Sequence, residues 1–245
     1  MRCTIVIKAL DKKIQEHANM TFVSMIKEAI KAYDEEYYEN LYLDGERKQK
    51  NRNLKDFTFS YYIDGRTFSN GYMVCDNNIL LNISTAGFET FMAIYNGFSM
   101  KKNYNYKGLN FEVVKIERKR EQSVNSNTVV IKTMSPIAIK NKDGRFLDLD
   151  DNEFNENVNY IANKLVTMAT GDGLKSEIKF KPLSMKKVVV KQVIQDYKNG
   201  KEPFCVNSFK GIYELTGDKS DLDVLLKTGV SFLRSQGFGM CEKVM

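Results

Sequence analysis

The 245-residue sequence contains one histidine, three prolines and no tryptophan. With His17 as its sole imidazole, the chain cannot build a His-rich metal site or a catalytic histidine pair. So little proline, beside 42% hydrophobic and 28% charged residues, excludes a disordered or collagen-like chain and leaves a globular protein with a real core. The four cysteines, Cys3, Cys75, Cys205 and Cys241, show no CxxC spacing and no dense framework, so reduced, buried thiols are expected. No apolar run approaches the roughly 20 residues of a membrane span. The first residues, MRCTIVIKALDKK, are interrupted by Lys8 and carry no cleavage-site pattern. They read as a strand and not a signal peptide, which makes the cytoplasm the default address.

Charge is present in both signs. Thirty-seven Lys and Arg against 31 Asp and Glu give a formal +6, a mild bias toward a polyanionic partner. The length suits two compact units of about 100 to 120 residues. Arg2 to Leu10 alternates like a half-buried strand. Asn19 or Thr21 can cap a helix running to about Tyr38, with Phe22, Val23, Ile26, Ala29, Ile30 and Tyr33 on one face. Strands at Phe57 to Ile63 and within Gly71 to Thr85, a helix from Gly87 to about Phe98 and a strand from Leu109 to Arg118 complete a β-α-β-β-α-β order. Polar EQSVNSN follows, and the order repeats. It uses a strand from Thr128 to Ile139 containing Pro136, a helix from Asn152 to Thr170, β-rich Glu177 to Gln195 and Phe204 to Leu215, a short helix capped by Ser220, and a strand from Met240 to Val244. The expectation is an α+β chain of tandem ferredoxin-like domains, 1–120 and 128–245.

The stretch most informative about chemistry is TGVSFLRSQGFGM, Thr228 to Met240, in which Gly229, Gly237 and Gly239 are interspersed with Ser231, Arg234, Ser235 and Gln236. Glycines admit close approach, and successive backbone N–H groups can form an anion-binding concavity suited to an RNA phosphate. An ordinary glycine-rich helix-to-strand connection would have the same composition. Neither GxxxxGK[ST] nor a GxGxxG after a first strand is present, so the segment is not a nucleotide-binding loop of either kind.

In its position before a terminal strand, this segment resembles the C-terminal glycine-rich loop of the CRISPR-associated repeat-cleaving endoribonucleases, the sixth Cas family within the repeat-associated mysterious protein superfamily. Ser84-Thr85-Ala86-Gly87, Phe57-Thr58-Phe59-Ser60 and Lys210-Gly211-Ile212-Tyr213-Glu214-Leu215 resemble further family segments in the same order, and Ser231 stands where many members have glycine. The resemblance implies cofactor-free, metal-independent cleavage of precursor CRISPR RNA within each repeat, by attack of a 2′-hydroxyl that leaves a cyclic phosphate. It also implies a glycine-rich loop and Arg234 that grip repeat RNA, other CRISPR effector subunits as partners, no membrane partner, and either a monomer or a homodimer.

Many members of that family carry a catalytic histidine in the loop after the first helix. Here that loop reads YLDGERKQKNRNLKDF and has none. By resemblance Lys55 and Lys27 take catalytic positions, with His17 a candidate replacement for the missing base. An ordinary lysine, with a pKa near 10.4, would stabilise the phosphorane or protonate the leaving oxygen but would not accept a proton. The absent histidine equally favours a second reading, a non-catalytic subunit that binds repeat RNA. Basic runs at Arg47, Lys48, Lys50 and Arg52, at Lys115 with Arg118 to Arg120, and at Lys179, Lys181, Lys186, Lys187 and Lys191 offer a footprint for RNA phosphates. The acidic run Asp148 to Glu156 is expected to face away from it.

Overall fold

The computed structural model describes residues 1–44, 49–50, 53–65, 67–192 and 204–244. The first half runs β1 (Arg2–Ala9), β2 (Lys13–Gln15), α1 (Asn19–Tyr33), α2 (Glu35–Tyr42), β3 (Leu43–Asp44), β4 (Gln49–Lys50), β5 (Phe57–Ile63), β6 (Thr67–Ser69), β7 (Tyr72–Val74), β8 (Ile79–Thr85), α3 (Phe88–Met100), β9 (Asn103–Tyr106) and β10 (Leu109–Lys119). The second runs β11 (Thr128–Thr133), α4 (Phe154–Thr170), β12 (Lys179–Gln192), β13 (Phe204–Thr216), α5 (Lys219–Thr228), a 3-10 turn (Arg234–Gln236) and β14 (Cys241–Lys243). Two main antiparallel sheets result, ordered β5-β8-β1-β10-β9 and β12-β13-β11-β14. In both, the strand that precedes the first helix lies between the strands that flank the second helix. One hydrophobic core is drawn from residues 3–113 and another from 124–241. No helix among the described residues is long and apolar enough to cross a membrane.

Several local expectations change for identifiable reasons. The first helix does not continue to Tyr38. At Asp34 the backbone becomes extended, and the Asp34 carboxylate accepts a hydrogen bond from Tyr37 N (2.8 Å), starting α2 in a new direction. Asn19 and Thr21 do not cap α1. Asn19 Nδ2 donates to Gln236 O (2.7 Å), and Thr21 Oγ1 donates to Gln15 Oε1 (3.0 Å). Asp218, not Ser220, caps α5, accepting from Ser220 N at 2.9 Å. β11 ends at Thr133, before Pro136, which has no N–H to give a ladder. Cys3, Cys75 and Cys241 are buried as expected, but Cys205 is exposed on β13.

The largest difference concerns β1. Its alternation predicts one wet face, yet residues Arg2 to Ile7 are all buried. Cys3, Ile5 and Ile7 pack under α1 and α3, while Arg2 aligns in register with Ser84 of β8 and through it with Thr58 of β5. That polar row docks the second half. Arg2 Nη2 donates to Leu226 O (2.8 Å) and Cys241 O (2.6 Å), Ser84 Oγ to Lys227 O (2.6 Å), and Thr58 Oγ1 to Phe238 O (2.8 Å). A helix ends with carbonyls that have no partner of its own, and α5 ends against side chains that supply them. The Arg2 charge also complements the negative end of the helix dipole.

On the opposite face of this sheet, α1 and α3 cross closely at Gly97. A Cβ there would fall well inside contact distance of the Ala29 carbonyl oxygen. Gly97→Ala is therefore expected to force the helices apart and cost about 2 kcal/mol, as overpacking does. Thermal unfolding should register the loss as a midpoint several degrees lower.

Candidate active site

The stripe Met20, Val23 and Lys27 is spaced by three and four residues on α1, beside the face that Phe22, Ile26 and Ile30 bury. It forms one wall of a cleft of about 730 Å³ between the two halves. Because α2 turns at Asp34, its last residue, Tyr42, comes back alongside this stripe. The Lys27 ammonium lies 4.7 Å from the Tyr42 ring centroid and that of Lys55, just ahead of β5, lies 5.3 Å from it. One aromatic ring thus holds two cations in the same cleft. Lys55 is buried, and its Nζ donates to Asn53 O at 2.7 Å. Burial, reinforced by the Lys27 charge, pulls its pKa down to about 8. The Tyr42 phenol moves the other way. Burial and the neighbouring Tyr38, Tyr37 and Asp56 raise its pKa, so it stays protonated and supplies a ring, not a base.

The glycine-rich segment closes the opposite side. Leu233 takes a left-handed φ of 58°, which turns Arg234 inward. Arg234 lines the cleft but is only 3% exposed, and its guanidinium is directed at backbone carbonyls of this chain. Its Nη1 donates to Thr228 O (2.9 Å) and its Nη2 to the carbonyl of Lys55. Arg234 therefore ties the end of α5 to the backbone of Lys55. Burial lowers its pKa to about 10 while Asp56 pulls it back up, leaving the guanidinium charged at neutral pH.

The glycines serve packing. Gly237 (φ 86°) abuts Asn19 and Phe59, where an added Cβ would come within 2.6 Å and 2.9 Å of their side chains. Gly239 (φ 75°) leaves no room for a Cβ against Ser231. Ser231 is itself buried, and its Oγ accepts from Ala138 N at 2.9 Å. Gly229, Gly237 and Gly239 are buried, so the part of the segment that lines the cleft is 231–236, with Ser235 and Gln236 partly exposed.

A model of the family "CRISPR associated protein Cas6, C-terminal" matches residues 116–243. The chain belongs to the Cas6 family. No curated protein matches this sequence. The fold is shared with the solved structure of a Cas6-related gene product from Pyrococcus furiosus, at TM-score 0.81 and 18% identity over 100% of this chain and 98% of that one. It is shared equally with a RAMP protein that binds different RNA substrates, at TM-score 0.80 and 17% identity over 100% of both chains. A Cas6 product complex follows at TM-score 0.68 and 10% identity over 99% of both.

For this Cas6 chain the cleft brings together Lys27, Lys55, Ser231, Arg234, Ser235 and Gln236 of the residues singled out in the sequence. It does not include His17, which is half-buried in the bend after β2. Lys186 and Lys187 lie on β12, outside the cleft. Neighbours along a strand point to opposite faces, so these two cannot share one, and Lys187 pairs with Asp148 (2.6 Å). Lys48 and Arg52 lie outside the described residues, and of Lys50 only the backbone in β4 is described. Glu156, placed by its acidic run on a face away from RNA, lines the cleft. No three His, Cys, Asp or Glu side chains among the described residues are grouped to hold a metal ion.

Sequence reasoning missed Tyr42, Lys140, Lys142, Tyr160 and Phe232, all of which line the cleft. Tyr160 left a readable signal. It falls off the apolar stripe of Val158, Ile161, Ala162 and Leu165, yet is aromatic. Tyr42 left none, because its place depends on the break at Asp34.

Proposed function

We propose that this chain is an endoribonuclease that processes precursor CRISPR RNA within its repeats, without a metal ion, using Lys55 and Lys27 at the scissile phosphate. The observation that carries the reading is the pairing of a buried lysine, its pKa near 8, with a second lysine over one ring. Family membership and the shared fold support RNA as the substrate. Each half is read as a ferredoxin-like domain, 1–120 and 128–245, on the strength of the repeated strand order.

At neutral pH roughly a tenth of the molecules carry Lys55 as the free amine, enough for it to act as a general base. It takes the proton from the 2′-hydroxyl, whose oxygen forms a bond to the adjacent phosphorus. The bond from phosphorus to the 5′-oxygen breaks, that oxygen takes a proton from water, and a 2′,3′-cyclic phosphate and a 5′-hydroxyl remain. Lys27 stabilises the charge that builds on the phosphorane. Burial has changed what the sequence alone allowed Lys55 to do.

The direct test incubates the protein in chelator with repeat RNA from the host's own CRISPR arrays, and with the same RNA carrying one 2′-deoxy nucleotide at the cut site. Only the first should be cleaved, to a cyclic phosphate product. Cleavage of both, or cleavage only when Mg²⁺ is restored, would rule out this mechanism. Tight binding of every repeat with no cleavage would assign the chain as a binding subunit.

A further inference from the structure

The wall of the cleft opposite Lys27 carries aromatic rings that the proposed chemistry does not use. Tyr160 projects from α4 and is 49% exposed, and Phe232 follows the buried Ser231 in the glycine-rich segment. Their rings lie near-parallel, 17° apart with centroids 6.4 Å from one another. One ammonium stands over each ring. Lys140 Nζ stands 5.4 Å from the Phe232 centroid, Lys164 Nζ stands 4.7 Å from that of Tyr160, and Lys142 lines the same cleft.

Both rings are held in place. Phe232 N donates to Ala138 O (2.9 Å), and the ring packs against the second core. The rotation of α4 is set by Asn155 and Asn159. Asn159 both accepts from Ile178 N and donates to Ile178 O at 2.7 Å, and Asn155 Oδ1 accepts from Phe180 N at 3.0 Å. Tyr160 stands on a helix face that is otherwise polar, and its ring contacts are Phe232 and Lys164 at the cleft and not the core. Flat rings that already attract an ammonium over one face match a ligand with an aromatic face and a negative charge beside it, which is the chemistry of a nucleotide.

We propose that Tyr160 and Phe232 form a stacking platform for one unpaired nucleobase, with Lys140 and Lys142 taking the phosphates that flank it. This rests on the reading of the cleft as an RNA site and adds which part of the RNA the second half holds. The nucleotide on the platform lies outside any base-paired stem, because stacking on a side chain requires a base free of its neighbours.

The test measures binding of labelled repeat RNA from the host's arrays by fluorescence anisotropy at one fixed salt concentration. It compares the intact RNA with a series carrying single abasic nucleotides, against the wild-type protein, Tyr160→Ala and Tyr160→Phe. Tyr160→Ala should weaken binding about fivefold to a hundredfold, as loss of one base–aromatic stack does, and Tyr160→Phe should stay close to wild type. One abasic position should weaken the wild type by a similar factor and cost Tyr160→Ala nothing more. Unchanged binding by Tyr160→Ala, or abasic costs that are the same in both proteins at every position, would overturn the platform. If that happens while the wild type still binds and cleaves, only the platform falls. A wild type that binds no repeat RNA would remove both readings.

Discussion

Lys55→Ala should slow single-turnover cleavage of repeat RNA at least about tenfold, and as much as 10,000-fold if Lys55 supplies all the general-base assistance. The pH profile should change with it. In the wild type the free amine becomes the major form as pH rises through about 8, so the rate should climb up to that point and then level off. In Lys55→Ala the climb should disappear. A rate that falls above pH 8 would instead make Lys55 the acid that protonates the leaving oxygen, and an unchanged rate would remove it from the chemistry. Lys27→Ala separates charge from proton transfer. It removes one of the two causes that lower the Lys55 pKa, so the remaining activity should climb at higher pH than in the wild type. Folding carries the matching signature. A lysine whose pKa is lowered in the folded state binds its proton less tightly there than when unfolded. It therefore opposes folding at neutral pH, and that penalty is relieved as pH rises from about 8 toward the ordinary 10.5. The stability of wild type relative to Lys55→Ala should therefore rise as pH increases from about 8 toward 10.5, and denaturant unfolding of both proteins at pH 7 and pH 10 would separate this effect from a catalytic loss.

Arg234→Ala should do the reverse, reducing stability and activity together. The guanidinium is buried, and its two hydrogen bonds satisfy the carbonyls of Thr228 and Lys55. Removing it leaves both acceptors without that donor and opens a cavity, for a loss of about 3 kcal/mol. Urea unfolding would show this as a lower midpoint with an unchanged slope. Because Arg234 holds the Lys55 backbone, the surviving folded protein should also cleave more slowly, with its dependence on pH altered. Arg234→Lys should rescue little, since an ammonium cannot reach two carbonyls in the fixed geometry of a guanidinium fork. A variant with normal stability and a weakened grip on RNA would restore Arg234 to the RNA-contacting role that its place in a glycine-rich loop suggests.

The elements were readable where one periodicity ruled. β5 and β10 and the helix α3 fall within two residues of their expected bounds, because alternation or a 3-to-4 spacing met no competing demand there. Errors gathered where a polar side chain had two possible uses. Asn19 and Thr21 look like caps and are drawn into contacts with Gln236 and Gln15. Asp34 looks like one more polar position on a helix and instead ends it. The site was half legible. Lys27 and Lys55 were marked by resemblance, but Tyr42, the ring that joins them, was not, and neither was the pKa of Lys55, which depends on burial.

Composition and pattern by themselves determined that this chain has a core and that its one histidine cannot form a pair, and they predicted a repeated element order; Lys27 and Lys55 came only from the resemblance. Only the tertiary structure decided how the two halves meet. Arg2 reads in sequence as part of the wet face of a half-buried strand, because alternation reports that a face is polar and not what covers it, and only the strand register aligns it with Ser84 and Thr58. The covering is the end of α5 and the segment after it, whose carbonyls need donors. That docking buries Arg234 against the backbone of Lys55 and places the cleft where the lysines and the rings of Tyr42, Tyr160 and Phe232 converge. The segment that sequence marked for binding RNA with its glycines uses them to let the two halves close.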